Sequence, residues 1–321
     1  MQLKDLAKLA NVSVSTASKA LKGSKELNDA TIEHVLKVAK ECGYFVEQKK
    51  QRVSSSKQNG KIIIVVPEII SVHYSMLATK LIEKFKQLKI TSQVHIHDFN
   101  TKNQTDIVNE SLITSDVIGA VLLDGSVDRE KFADFPIVSR RGKVVLVDNG
   151  AVELTMLVNH LRGLGHKKIY LFGENYTVSR IAKFIKIMND FGLSADKSYC
   201  FTSDYRFEKA GYDLANKLVD EGNLPTAIIC PYDEIAFGAI SALTQRGIKV
   251  PEDVSVVGIN NVPAAEFYPV PLTTLDKCGD DYCDEIVKTM KKLIDNPDYQ
   301  QEQILQKFKL IIRKSTAKAK N

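Results

Sequence analysis

The sequence predicts a small all-α headpiece followed by an α/β core of two lobes with parallel sheets. Three observations carry this. Apolar residues near the amino terminus recur at three- and four-residue spacing in three short blocks, each the signature of an amphipathic helix. From Lys61 onward, short β-branched runs alternate with longer amphipathic stretches, the pattern of parallel strands joined by crossover helices. Those runs are too many for one sheet of ordinary size, and 321 residues provide for two cores beside the headpiece.

The first helix is marked by Leu3, Leu6, Ala7 and Ala10, and Asn11-Val12 break its pattern. Ser13 is then placed to cap a second helix, because its hydroxyl accepts a backbone amide hydrogen bond from two or three residues on. Ala17, Ala20 and Leu21 form that helix's inner face, leaving Val14, Ser15, Thr16, Ser18 and Lys19 pointing outward. Hydroxyls, a methyl-bearing side chain and a lysine are groups that touch base edges and phosphates in a major groove. The same face would serve as an ordinary solvated surface. Asn28 caps a third helix with the stripe Ile32, Val35, Leu36 and Ala39, ended by Cys42-Gly43 with Gly43 as the C′ residue. The predicted headpiece spans 1–46.

Residues 47–60 are polar, basic and nearly free of large apolar side chains, and read as a linker. The core, 61–313, then reads as strand Ile62–Val66, helix Tyr74–Leu88, strand Gln93–His97, helix Asp106–Leu112 and strands Ile118–Leu123 and Val144–Val147. A helix through Leu161, strand Lys168–Phe172, helix Ser179–Phe191, strand Tyr199–Phe201 and helix Phe207–Val219 follow. Strand Ala227–Cys230, helix Glu234–Arg246 and strand Val254–Ile259 complete the alternation. Residues 314–321 read as a basic tail without a heptad repeat, so a dimer is expected rather than a coiled-coil tetramer.

Composition narrows the function. Net charge is +5, and all of that surplus falls within residues 1–60 while the remainder balances, the electrostatic footprint of a polyanion-binding module. No apolar run approaches the roughly 20 residues of a membrane span, and Lys4 and Asp5 interrupt any secretory signal, so a cytoplasmic protein is expected. The five cysteines, Cys42, Cys200, Cys230, Cys278 and Cys283, are scattered and fit reduced thiols. No Walker sequence, Gly-x-Ser-x-Gly elbow or metal-ligand cluster is present, so neither an enzyme nor a cofactor or metal is expected. Gly163-Leu164-Gly165-His166 lacks a third glycine and reads as a helix-ending turn.

The run from Leu3 through Gly23, together with Gly43-Tyr44, resembles the headpiece of the lactose-repressor/galactose-repressor family of bacterial transcription regulators. Leu164-Gly165-His166, Pro225 through Asp233, Val250 through Gly258 and Pro271-Leu272-Thr273-Thr274 follow in that family's order, so the resemblance spans nearly the whole chain. It implies a helix-turn-helix headpiece and a two-lobed core like that of a periplasmic binding protein. The first lobe would take about 61–145 and 276–298, the second 146–272 and 303–313. Val14, Ser15 and Lys19 would then read bases while Ser13, Thr16 and Ser18 sit near phosphates. Val53 falls where the family's minor-groove leucine wedges from a hinge helix; valine is a smaller wedge of lower helix propensity.

Ligands of open α/β sheets bind beyond the carboxyl ends of the strands, which points to loops that include Asp98–Asn100, Asp124, Glu174–Arg180, Tyr232-Asp233 and Asn260-Asn261. The resemblance makes Arg180 the family's sugar-binding arginine, although Lys183-Phe184 replaces the Gly-aromatic pair that follows it. Asp233 takes the place of an acidic residue of the family, with Tyr232 for the commoner asparagine; a carboxylate there also suits a helix N-terminus. Asn260 stands for a sugar-gripping aspartate, exchanging a pure acceptor for a group that donates and accepts. His73 and Tyr74 fall on the first lobe's ligand loop, where an aromatic ring stacks on a ligand or packs into the core. The expected protein is a homodimeric repressor of carbohydrate genes on a pseudo-palindromic operator, controlled by a sugar or sugar derivative. A non-sugar metabolite, a protein corepressor, or a sugar-binding protein without DNA function are the alternatives.

Overall fold

A computed structural model of the chain describes residues 3–21, 27–42, 44, 60–113, 116–123, 144–146, 152–175, 178–277, 279–296 and 307–320. Gly43, Val53 and nearly all of the linker, Asp124, Val147 and Cys278 lie outside the described residues.

The headpiece is three helices, α1 (Leu3–Leu9), α2 (Val14–Leu21) and α3 (Asp29–Glu41). Leu6, Ala7, Ala10, Ala17, Ala20, Val35, Ala39 and Tyr44 form its core, the inner face that the spacing predicts. Asn11 adopts φ 51°, and the Val12 N–H reaches back to the Ala7 carbonyl, so a left-handed asparagine reverses the chain between α1 and α2. The His34 ring N–H bonds to the Ala10 carbonyl and ties α3 to that turn.

The chain divides into two compact units, one comprising Met1–Asp148 with Cys283–Ile304 and the other Asn149–Tyr282 with Leu305–Asn321. In the first unit, β1 (Lys61–Val66), α4 (Val72–Gln87), β2 (Thr91–Ile96), α5 (Thr101–Ile113), β3 (Val117–Leu122) and β4 (Val144–Leu146) build a parallel sheet in the order β2-β1-β3-β4. Five consecutive buried residues of β1, Ile62 to Val66, show that helices cover both faces. Asn100 caps α5 by accepting from the Lys102 and Asn103 amides, which starts this helix earlier than apolar spacing suggests.

The second unit holds α6 (Val152–Gly163), β5 (Ile169–Glu174), α7 (Ser179–Asp190), β6 (Cys200–Ser203), α8 (Phe207–Asp220), β7 (Ala227–Ile229), α9 (Asp233–Gln245), β8 (Ser255–Ile259), α10 (Ala264–Phe267) and β9 (Thr273–Asp276). Next come α11 (Asp280–Asp295), most of which belongs to the first unit, and β10 (Lys309–Ile311). The sheet order is β10-β9-β8-β7-β5-β6, parallel except for the antiparallel β10 edge. Alternation along the strands divides the core into two layers. Tyr170, Phe172, Ile228 and Val256 face α8 and α9, whereas Ile169, Leu171, Ile229 and Val257 face α6 and α7. The Gly163–His166 stretch ends α6 as expected, with Gly165 at φ 90° and the His166 N–H on the Leu161 carbonyl.

Helices α8 and α9 meet backbone to backbone. A Cβ placed on Gly211 would fall 1.9 Å from the Ile235 carbonyl oxygen, and one on Gly238 1.9 Å from the Glu208 carbonyl oxygen. Only glycine fits either position.

The carboxy-terminal segment departs from the expected loose basic tail. Ser315 is fully buried, its hydroxyl donates to the Val256 carbonyl, its carbonyl accepts from Val256 N–H, and Thr273 N–H donates to its Oγ. Ala319 N–H bonds to the Leu164 carbonyl. Residues 314–320 are therefore part of the second unit, because their backbone groups close its sheet and its α6 turn.

Candidate functional site

The headpiece presents α2. The Ser13 hydroxyl accepts the Thr16 amide hydrogen bond at 2.9 Å, the N-cap that the sequence predicts. The two hydroxyls of Ser13 and Thr16 also lie 2.8 Å apart. Val14, Ser15 and Lys19 stand exposed on the face opposite Ala17 and Ala20. Thr16 and Ser18 are half-buried rather than fully outward, since they flank the seam that Ala17 and Ala20 make with the other helices. The first amides of a helix have no intrahelical partner, and a helix start of this kind suits phosphate oxygens.

In the second unit, the carboxyl side of the sheet brings together Arg180 from the first turn of α7, after β5, and Tyr232 from the loop between β7 and α9. The Arg180 guanidinium carbon lies 5.8 Å from the Tyr232 ring centre, and Nη1 donates to the Pro231 carbonyl at 3.4 Å. Nη2 lies 3.7 Å from Oε1 of Glu153, which is buried at the start of α6, and Lys277 after β9 approaches the same oxygen at 3.5 Å. The Arg180 side chain is about one-fifth exposed (20%). Beside it, the Phe207 ring lies 6.2 Å from that of Tyr232.

Phe207 has φ 54°, a left-handed geometry that a bulky residue holds only when its surroundings enforce it. The buried Glu174 carboxylate does so by accepting from the Phe207 amide at 2.7 Å and from Arg206 Nε at 2.5 Å.

Asp233 is a correction to the expected ligand set. Its side chain turns inward from the first residue of α9 and is fully buried. Oδ2 accepts from the Val262 amide at 2.8 Å and Oδ1 from the Thr274 hydroxyl at 2.5 Å, so both oxygens are spent within the lobe. Gly258 makes room, since a Cβ there would fall 2.1 Å from Oδ1. Asn260 is also buried, at φ 113°, with its backbone N–H donating to the Leu275 carbonyl and its side-chain Nδ2 without a partner among the described residues. The next residue, Asn261, is half-buried and accepts from Arg313 at 2.8 Å. In the first unit, His73 is buried near the start of α4 with its ring 5.1 Å from the half-buried Tyr74.

Burial pushes the Asp233 carboxyl up to about 7; Glu234 adds to the rise, while the hydrogen bonds from Thr274 and Val262 and the charge of Arg313 oppose it. An unfolded aspartate titrates near about 3.9. Between about pH 4 and 7 the folded chain thus holds a proton that the unfolded chain lacks, and stability falls as pH rises through that window, by at most about 1.4 kcal/mol per unit. Asp233→Asn is expected to flatten this slope in urea unfolding measured across the window. An unchanged slope would place the proton on another group.

Cys230 and Cys283 are buried and Cys42 and Cys200 half-buried, and burial raises the Cys200 thiol to about 11, so these behave as packed thiols. Among the described residues no helix is long and apolar enough to cross a membrane.

A family model described as bacterial regulatory proteins, lacI family, matches residues 2–46, and one described as a periplasmic binding protein-like domain matches residues 158–316. The chain is 30% identical over 297 residues to the HTH-type transcriptional repressor CytR of Escherichia coli (strain K12), covering 85% of this chain and 84% of that protein. A crystal structure of the lac repressor dimer bound to operator and the anti-inducer ONPF superposes with a TM-score of 0.71 at 22% identity, covering 99% of each chain. A LacI family transcriptional regulator from Enterococcus faecium with bound ribose gives 0.67 at 20% identity, covering 81% of this chain and all (100%) of that one. At such identities the structural likeness establishes the fold, and the relatives are transcriptional regulators rather than enzymes.

Proposed function

We propose, on the premise that the chain belongs to the lacI family of bacterial regulatory proteins and is a DNA-binding transcriptional repressor, that a sugar or sugar derivative controls its hold on operator DNA. The observation that carries the reading is the pairing, on one chain, of an exposed α2 face with a partly exposed arginine beside a tyrosine at the strand ends of an α/β lobe. One headpiece touches few bases, so two chains on a pseudo-palindrome supply the length of sequence a regulator needs. The protein acts as a homodimer in the cytoplasm, on carbohydrate genes.

Within the headpiece, Val14, Ser15 and Lys19 read bases, and Ser13, Thr16 and Ser18 hold phosphates. In the core, Arg180, Tyr232, His73, Tyr74 and Asp124 are the effector-binding residues. Lys19 provides the test of base reading. Lys19→Ala is expected to weaken binding by about 1–3 kcal/mol at one base-pair position of a selected operator and to relax preference there. Binding to duplexes that vary one position at a time measures this; an equal loss on every duplex would make Lys19 a phosphate contact. Val53, a small wedge at most, is expected to leave operator affinity and bending nearly unchanged when replaced by alanine. A large loss of both in a bending assay would establish a hinge helix that inserts it.

A non-sugar metabolite of similar polarity is the second reading. Arg180 favours it as much as a sugar, since a guanidinium fork also receives carboxylates and carbonyls.

A further inference from the structure

Glu153 is out of place for its helix. Leu154, Leu157, Val158 and Leu161 make the buried stripe of α6, and Glu153 continues that stripe with a carboxylate that is only 3% exposed. Its Oε1 lies 3.7 Å from Arg180 Nη2 and 3.5 Å from Lys277 Nζ, both longer than the 2.7–2.9 Å or so of a close charge-assisted hydrogen bond. Its Oε2 is buried with no hydrogen-bond partner among the described residues. A loosely paired carboxylate in a lobe interior is a net cost compared with an apolar side chain of similar size. A buried acceptor also needs a donor.

The neighbourhood explains what the donor is. Arg180, Tyr232 and Lys277 follow β5, β7 and β9 at the carboxyl ends of one sheet, where open α/β sheets take their ligands. Arg180 has five N–H donors, and among the described residues its hydrogen bond is the long one to Pro231. A donor fork and a buried acceptor that lacks a partner among the described residues therefore stand side by side next to an aromatic ring.

We propose that Glu153 is a specificity residue of the effector site, and that with Arg180 it selects a neutral ligand carrying adjacent hydroxyl groups. The inference rests on the reading of these strand ends as an effector site. One hydroxyl donates to Oε2 of Glu153 and its neighbour accepts from the Arg180 guanidinium, so a vicinal diol satisfies both. A phosphate or carboxylate satisfies Arg180 alone; it brings no donor to Oε2 and is repelled by Glu153.

The test uses the full-length chain and four neutral probes, D-ribose, D-glucose, D-galactose and sucrose, each beside a phosphate ester of the same sugar, in thermal-shift and calorimetric titrations. The expected result is saturable binding of at least one neutral probe and at least tenfold weaker binding of its ester. Glu153→Gln, which preserves shape, is expected to weaken the neutral probe about tenfold and to narrow the gap to the ester. Glu153→Asp keeps the charge but shortens the arm, and is expected to weaken the neutral probe while preserving the gap. The melting temperature of each unliganded variant reports whether it folds as the parent does. An ester that binds the parent as tightly as its neutral sugar, or a neutral affinity untouched by both variants, overturns the role of Glu153 and leaves the effector site standing. No saturable response from any probe removes that site and the proposal with it.

Discussion

Gly238→Val is expected to cost more than about 3 kcal/mol and to leave the second unit unfolded at ordinary temperatures. Any Cβ on Gly238 meets the Glu208 carbonyl oxygen at 1.9 Å, and the Tyr212 amide nitrogen is 2.8 Å away. Both are helix backbone, which cannot swing aside as a side chain does. Even Gly238→Ala is expected to destabilise, although alanine gains about 1 kcal/mol of helix propensity over glycine, because the overlap outweighs that gain. Gly163, at the end of α6, is the control: nothing lies within 4 Å of a Cβ placed there, so Gly163→Ala is expected to be neutral or stabilising. Urea denaturation of the three variants measures this. A stabilised Gly238→Ala variant would mean that α8 and α9 do not meet at their glycines.

Arg180→Ala is expected to weaken effector binding by one to two decades. The estimate follows from losing charge-assisted hydrogen bonds, each worth about 1.5–3 kcal/mol, at about 1.4 kcal/mol per decade. The ring contact with Tyr232 would go with them. Operator binding in the absence of effector is governed by the headpiece and is expected to stay within about twofold, since truncating Arg180 touches no residue of α1–α3. Calorimetric titration with the sugar found by screening, beside an operator titration on the same protein, separates the two functions. An unchanged effector affinity would remove Arg180 from the site.

The headpiece was the most legible part of the chain. Its apolar residues lie on the inner faces that three- and four-residue spacing predicts, and Ser13 and Asn28 cap α2 and α3 by the short side-chain bonds their types favour. The strand alternation was legible for the same reason: β-branched runs buried on both faces leave little ambiguity. Elements set by side-chain bonds to the backbone were harder. Asn100 starts α5 by a cap that apolar spacing does not register, and the pairing of residues 314–320 depends on partners far away in sequence. In the candidate site, Arg180 lies beside Tyr232, whereas Asp233 turns inward because Gly258, Val262 and Thr274 offer it space and donors. No local pattern announces that. Glu153 did leave a signal, a carboxylate on the buried stripe of an amphipathic helix, and the left-handed Phe207 left none.

The central claim is that one chain couples a sequence-reading headpiece to a ligand-sensing core. Its most direct test is to select bound duplexes from a random DNA library, and then to titrate the selected site with and without a saturating sugar from the screen. The account predicts a site with two-fold sequence symmetry and a sugar-dependent change in operator affinity, in either direction, of at least about fivefold. A site without symmetry, or an operator affinity indifferent to a sugar that demonstrably binds the core, would contradict it.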